Sequence, residues 1–194
     1  LAQKKIKRLL VYSSVGHVGY LLIGLCCGTV EGLHAVLLYL VIYILMTVNM
    51  FAIVLASVDH TQTSRLKYIQ DLGLLAYTHP VLAVTLSATL FSMAGIPPLA
   101  GFCSKFYLFF AAMSSSLYVL AVLGVLSSVV SCFYYIRLIK IMYFEQPSQV
   151  TTFAAMDREK ATLIGLTSVC IVFFFLCPQS LFLWTYKIAY LFLG

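Results

Sequence analysis

The sequence predicts an all-α fold, a polytopic integral membrane helix bundle of about five transmembrane helices, one of them broken at Gly95–Gly101. Three observations predict it. Of the 194 residues, 62% are hydrophobic and only 9% are charged. A soluble domain carries roughly 25% charge, so this chain has too little polar material to make a wetted surface. The apolar residues fall in long continuous runs, as helices in lipid require, and do not alternate as barrel strands would. One run is interrupted by a glycine- and proline-rich segment in which a helix cannot continue.

The runs are 9–27, 33–58, 80–113, 117–144 and 161–177. A crossing needs roughly 20 apolar residues. The fifth run is short, but 181–193 continues it after Pro178, as an extension or as an interfacial segment. The third run is too long for one straight helix and contains Gly95-Ile96-Pro97-Pro98-Leu99-Ala100-Gly101. Pro97 and Pro98 remove two backbone donors, while Gly95 and Gly101 permit irregular dihedrals. A break at membrane depth is tolerated only inside protein or beside a watery cavity. The whole chain, 1–194, reads as a single membrane domain.

Charge sets the orientation. Lys4, Lys5, Lys7 and Arg8 precede the first run. Arg65 and Lys67 lie in the link that returns to the starting side, and Arg137, Lys140, Arg158 and Lys160 flank the fourth and fifth runs on that side. Ten of the twelve Lys and Arg residues therefore share one side, and the opposite links hold none. This is the positive-inside pattern, and it marks the cytoplasmic or matrix side. The C-terminus falls opposite, with Lys187 and the interfacial aromatics Trp184, Tyr186 and Tyr190. The net charge of +6 thus encodes topology, with membrane lipid as a partner and no nucleic acid. The six cysteines, Cys26, Cys27, Cys103, Cys132, Cys170 and Cys177, show no C-x-x-C spacing and read as packing residues, with no metal site. The sequence begins Leu1-Ala2-Gln3-Lys4-Lys5 with neither methionine nor signal peptide, the expectation for a processed terminus or part of a longer polypeptide.

Few polar groups remain inside. Lys105 follows the Pro-Pro break, about eight residues or roughly 12 Å from the end of its run, close to mid-membrane. A lysine there costs about 2.5–3.5 kcal/mol on insertion scales, which makes it a functional candidate. Removing water from around an ammonium raises the cost of its charge, so a buried lysine can exchange a proton where an exposed one holds it. His17 lies in the first run among Ser13, Ser14, Gly16 and Gly19, and suits either a structural hydrogen bond or a proton carrier. Tyr43, Thr47 and Asn49 of the second run, with Ser87 and Ser92 before the break, are placed to order water between Lys105 and His17.

Two segments carry a resemblance. Lys5-Ile6-Lys7-Arg8-Leu9-Leu10-Val11-Tyr12-Ser13-Ser14-Val15-Gly16-His17-Val18-Gly19-Tyr20 resembles a signature of the antiporter-like subunits of proton-pumping NADH:quinone oxidoreductase, respiratory complex I. Ala94-Gly95-Ile96-Pro97-Pro98-Leu99-Ala100-Gly101-Phe102-Cys103-Ser104-Lys105-Phe106-Tyr107 is similar to the broken-helix motif of that family. Lysine at 105, where subunit 4 relatives carry glutamate, and Phe133-Tyr134-Tyr135-Ile136-Arg137-Leu138 resemble the subunit 2 branch in its plant and algal mitochondrial form. The likeness runs over about 4–194.

The resemblance implies a C-terminal portion of such a subunit, holding one half-channel, in the mitochondrial inner membrane rather than a bacterial plasma membrane. It implies proton translocation through Lys105, His17, Lys7 and Tyr43. Lys7 matches a basic residue at the mouth of the first span. At Tyr43 subunit 4 relatives have a histidine, so the relay there passes through a hydroxyl or water. The chain is expected to act as a non-redox subunit of the oxidoreductase with no cofactor of its own, since it has no glycine-rich nucleotide loop and no cysteine cluster. Expected partners are other complex I membrane-arm subunits and a second chain supplying the N-terminal half. The alternatives are a subunit of a multi-chain cation/proton antiporter and a structural membrane fragment supporting assembly.

Overall fold

A computed structural model describes residues 3–56, 68–73, 75–145, 158–174 and 178–193. Arg65, Lys67 and Cys177 lie outside the described residues. The helices are α1 (Ile6–Cys26), α2 (Val30–Ala56), α3 (Leu75–Thr78), α4 (Pro80–Ala94), α5 (Ala100–Ser114), α6 (Tyr118–Phe144), α7 (Arg158–Phe173) and α8 (Gln179–Leu193), with a 3₁₀ turn at Ile69–Leu72. Among the described residues there is no strand beyond an isolated pairing of Lys5 with Tyr68.

Helices α1, α2 and α6 are each long and apolar enough to cross a membrane alone. The other crossings are made in two pieces. Helices α4 and α5 are 15 residues each, roughly 22 Å at 1.5 Å per residue, against a hydrocarbon core of about 30 Å. Helix α6 runs back along both, so α4 and α5 together make one crossing, broken where the proline pair predicts. Likewise α2 packs along both α7 and α8. The segment after Pro178 therefore extends the fifth crossing and does not lie flat at the interface.

Helix α2 is the axis of the bundle and packs on α1, α4, α5, α7 and α8. Its Leu38, Ile42, Met46, Met50 and Ile53, at helical spacing of four and three, are all at most 1% exposed. The α1–α2 hairpin closes because Gly24 leaves room for Val36, whose methyl lies 2.4 Å from where a Cβ would stand. Thr29 Oγ1 accepts from the Gly32 amide at 3.1 Å and so caps the start of α2. Helix α4 begins with Pro80, whose missing amide hydrogen costs nothing in a first turn. In contrast, α6 turns Val119, Val122, Leu126, Val129 and Phe133 outward, an apolar face for lipid or protein.

The two ends of the bundle differ as the charge pattern predicts. At one end the Ile69 amide donates to Lys4 O at 2.9 Å, and the 3₁₀ turn and α3 pack on the end of α6. Lys4, Lys5, Lys7, Arg8, Arg137, Lys140, Arg158 and Lys160 gather there, all exposed. At the other end Ser114 Oγ donates to the Glu31 carboxylate at 3.2 Å, and Phe192 and Leu193 line one cavity with Gly28 and Leu33.

Candidate functional site: a lysine at a broken helix

The site begins with backbone accounting at the end of α4. A helix leaves its last four carbonyls without amide partners. Here Gly95 turns left-handed at φ 89°, which a Cβ would oppose. Its amide then reaches Ser92 O at 3.0 Å, and the Ile96 amide reaches Phe91 O at 3.1 Å. Two carbonyls remain, Met93 and Ala94. They are the partners that the amides of residues 97 and 98 would have taken, and both of those residues are proline. Lys105 Nζ donates to Met93 O at 2.8 Å and to Ala94 O at 3.3 Å. The proline pair thus creates the acceptors that hold the lysine.

The lysine reaches back to this point because α5 starts beside the end of α4. The Gly101 amide donates to Ser92 Oγ at 3.0 Å, and a Cβ on Gly101 would stand 1.9 Å from Ser92 O. Only glycine allows the two half-helices to lie so close. The Lys105 stem runs over Gly95, and the side chain is 5% exposed. Its Nζ lies 5.1 Å from the centroid of the Tyr20 ring. Two charge-assisted hydrogen bonds of about 1.5–3 kcal/mol each offset the cost of burying the charge. The negative end of the α4 dipole and the face of Tyr20 add to this.

His17 also lies beside Tyr20, with ring centroids 6.1 Å apart in an edge-on arrangement. It is 3% exposed and bonded through both nitrogens, Nδ1 to Tyr39 Oη at 2.6 Å and Nε2 to Tyr135 Oη at 3.0 Å. Tyr135 Oη also hydrogen-bonds Ser13 Oγ. Tyr43 stacks on His17 at 4.7 Å. A cavity of about 20 Å³ lies between them, lined in part by Ser13, His17, Tyr43, Thr47 and Met93. That is room for a single water beside His17 and Met93.

The structure therefore brings Lys105, His17 and Tyr43 together. It does not bring Lys7, which is exposed at the start of α1. Ser92 serves to join the half-helices. Ser104 Oγ bonds to Gly101 O within its own helix. Thr47 likewise bonds to Tyr43 O and Ile44 O. Asn49 is fully buried with both amide atoms unpartnered. Sequence reasoning missed Tyr39 and the joining role of Tyr20 and Tyr135. A signal was present, since Ser13, His17 and Tyr20 follow at i, i+4 and i+7, and Tyr39 precedes Tyr43 by four. Among the described residues no three His, Cys, Asp or Glu side chains are grouped to hold a metal ion.

Residues 1–131 match the family described as NADH:quinone oxidoreductase/Mrp antiporter, TM. The chain belongs to this family. The resemblance on residues 5–20 and 94–107 falls within the matched span. NADH-ubiquinone oxidoreductase chain 2 of Marchantia polymorpha is 60% identical over 97% of this chain and 38% of its own length. The chain thus spans well under half the length of the curated relatives it matches. A chain of respiratory complex I from Thermus thermophilus superposes with TM-score 0.80 and 28% identity, over 93% of this chain and 40% of that one. A chain of the Mrp complex from Dietzia sp. DQ12-45-1b superposes with TM-score 0.82 over 100% of this chain and 44% of that one. At 19% identity it shares the fold.

Proposed function

We propose that this chain carries protons through the membrane arm of NADH:ubiquinone oxidoreductase, with Lys105 as the group that gains and releases them. The observation that carries the reading is the pair of carbonyls at Lys105. An ammonium has three donors, and two are used by Met93 O and Ala94 O. The neutral amine still has two hydrogens for the same two carbonyls, and its lone pair takes the third direction. Both charge states therefore satisfy the backbone. A lysine that only neutralised a carboxylate would lose its partner on release, and among the described residues no carboxylate is seen against Lys105.

His17 and its tyrosines are the neighbours that would receive or supply the proton, with a water bridging at the small cavity beside Tyr43. Lys7 would act at the mouth of α1, apart from the relay. The chain itself would hold no flavin, cluster or quinone. Its exposed α1 and α6 faces would meet other membrane-arm subunits and a second chain supplying the remaining half of the channel. The 60% identity with the Marchantia chain supports the mitochondrial inner membrane. The multi-chain antiporter reading is supported by the family description and by the fold. The test is proton translocation per electron pair by complex carrying Lys105→Met, beside a blot for assembled complex. Full pumping with full assembly would overturn the proposal.

A further inference from the structure

Tyr20 stands against Lys105 with its ring and not with its hydroxyl. Lys105 Nζ lies over the ring, 5.1 Å from the centroid. The hydroxyl is taken by α6, where Ser127 Oγ hydrogen-bonds Tyr20 Oη at 3.1 Å. The side chain is 4% exposed, and other rings enclose it. Phe109 and His17 meet it edge-on at centroid distances of 6.0 Å and 6.1 Å, and Tyr39 lies tilted at 6.1 Å. Phe109 follows Lys105 by four in α5, so one face of that helix presents both groups to the ring. Phe109 is seated in turn by Gly124 of α6, since a Cβ there would stand 2.5 Å from the Phe109 ring. Helices α2, α5 and α6 thus fix a ring that belongs to α1.

We infer that Tyr20 is a positioning residue for Lys105, a fixed ring face that favours the ammonium over the neutral amine. The inference rests on the proposed function and adds the group that weights the two charge states of the lysine. Met93 O and Ala94 O each keep a hydrogen from Lys105 in both states. The ring acts differently. Its face is negative, so it attracts a cation and gains little from an uncharged amine. The attraction is also moderate. A carboxylate in the same place, in low dielectric, would bind the ammonium far more strongly and hold the proton. A ring weights the equilibrium without trapping one side of it. Orientation matters because the edge of a ring is positive and would repel the ammonium that the face attracts. Ser127 on the hydroxyl and Phe109 on the ring keep the face toward Nζ.

The test uses assembled complex in sealed vesicles. It follows, against pH, the part of the proton yield per electron pair that Lys105→Met removes. Tyr20→Leu takes away the ring face. It withdraws attraction from the charged form alone, so Lys105 gives up its proton at lower pH. The falling limb of the profile is then expected to move down by about one pH unit. A ring that only filled space would lower the yield at every pH and leave the midpoint where it was. Tyr20→Phe keeps the face and is expected to bring the midpoint back toward that of the unsubstituted complex. Tyr20→Met, unbranched and adaptable, is read in the same way if Tyr20→Leu does not assemble. An unmoved midpoint in the ringless variant overturns the inference. So does a Tyr20→Phe midpoint displaced as far as that of the ringless variant. Lys105→Met separates the two ideas. If it removes no part of the yield, the proposed function fails. If it does and the ringless midpoint is unmoved, only the role of Tyr20 fails.

Discussion

Replacing Lys105 by methionine separates a proton carrier from a packing residue, and the structure sets the size of the structural effect. The substitution removes donors from Met93 O and Ala94 O. Two charge-assisted hydrogen bonds at about 1.5–3 kcal/mol each give a loss of about 3–6 kcal/mol. The buried charge disappears with them and returns about 2.5–3.5 kcal/mol. Methionine keeps the unbranched stem over Gly95 and adapts to the cavity. The net cost is then about 0–3 kcal/mol, which a large membrane assembly tolerates. Assembled complex is therefore expected near its usual amount, with electron transfer retained and fewer protons moved per electron pair. Lys105→Arg should fail in the same assay for another reason, because a guanidinium keeps its proton throughout the working pH range. The assay is proton translocation in reconstituted vesicles with NADH oxidation measured in the same sample. Undiminished pumping by Lys105→Met, or by Lys105→Arg, would refute the reasoning.

Close approach of α4 and α5 gives a second test. Gly101→Ala places a methyl 1.9 Å from Ser92 O, a cost at or above the roughly 1–3 kcal/mol usual for overpacking, and should reduce assembled complex on a native gel. Gly16→Ala meets nothing within 4 Å and should leave the amount unchanged. Ser92→Ala removes the acceptor of the Gly101 amide and should destabilise by about 1–3 kcal/mol, lowering the temperature at which the complex dissociates. For topology, Gln70→Cys at the 3₁₀ turn and Ser116→Cys before α6 should label from opposite sides of the membrane; labelling from one side would end the five-crossing arrangement.

The crossings and the gathering of the basic residues at one end were legible because lipid imposes a simple rule. Long apolar runs must be helices, and charges must collect outside them. The break was legible for a local reason, since two consecutive prolines deny a helix its hydrogen bonds wherever they fall. The fifth crossing was harder. Its two halves are joined by sequence containing Pro178, and only packing along α2 shows that the second half continues the first. Lys105 and His17 stood out as ionisable residues in apolar surroundings. Their partners did not, because a tyrosine in a membrane helix reads equally well as lipid-facing. Tyr12 and Tyr118 are 65% and 63% exposed, while Tyr39 and Tyr135 are at most 1% exposed. Composition does not separate these pairs; the rotation of α1, α2 and α6 about one another does.

The broken helix and the lysine are one device. A proline pair in an ordinary helix leaves two carbonyls that must find water, a side chain or nothing. In lipid the last choice is costly, and a hydroxyl would satisfy the pair only in part. A primary amine satisfies both, and it does so whether charged or neutral. The length of the side chain matters as much as its charge. Lys105 sits in the second turn of α5, and its stem runs back toward the start of that helix, as helical side chains do. That direction carries the amine to the end of α4, because Gly101 has let the half-helices overlap. Moving the lysine to 106 would turn it about 100° around α5 and onto a face that is 53% exposed. Phe106→Lys placed in Lys105→Met is accordingly expected to leave pumping impaired although the charge and the helix are restored. Recovery of pumping in that double variant would show that any amine near the break suffices, and that the pair of proline-freed carbonyls is incidental.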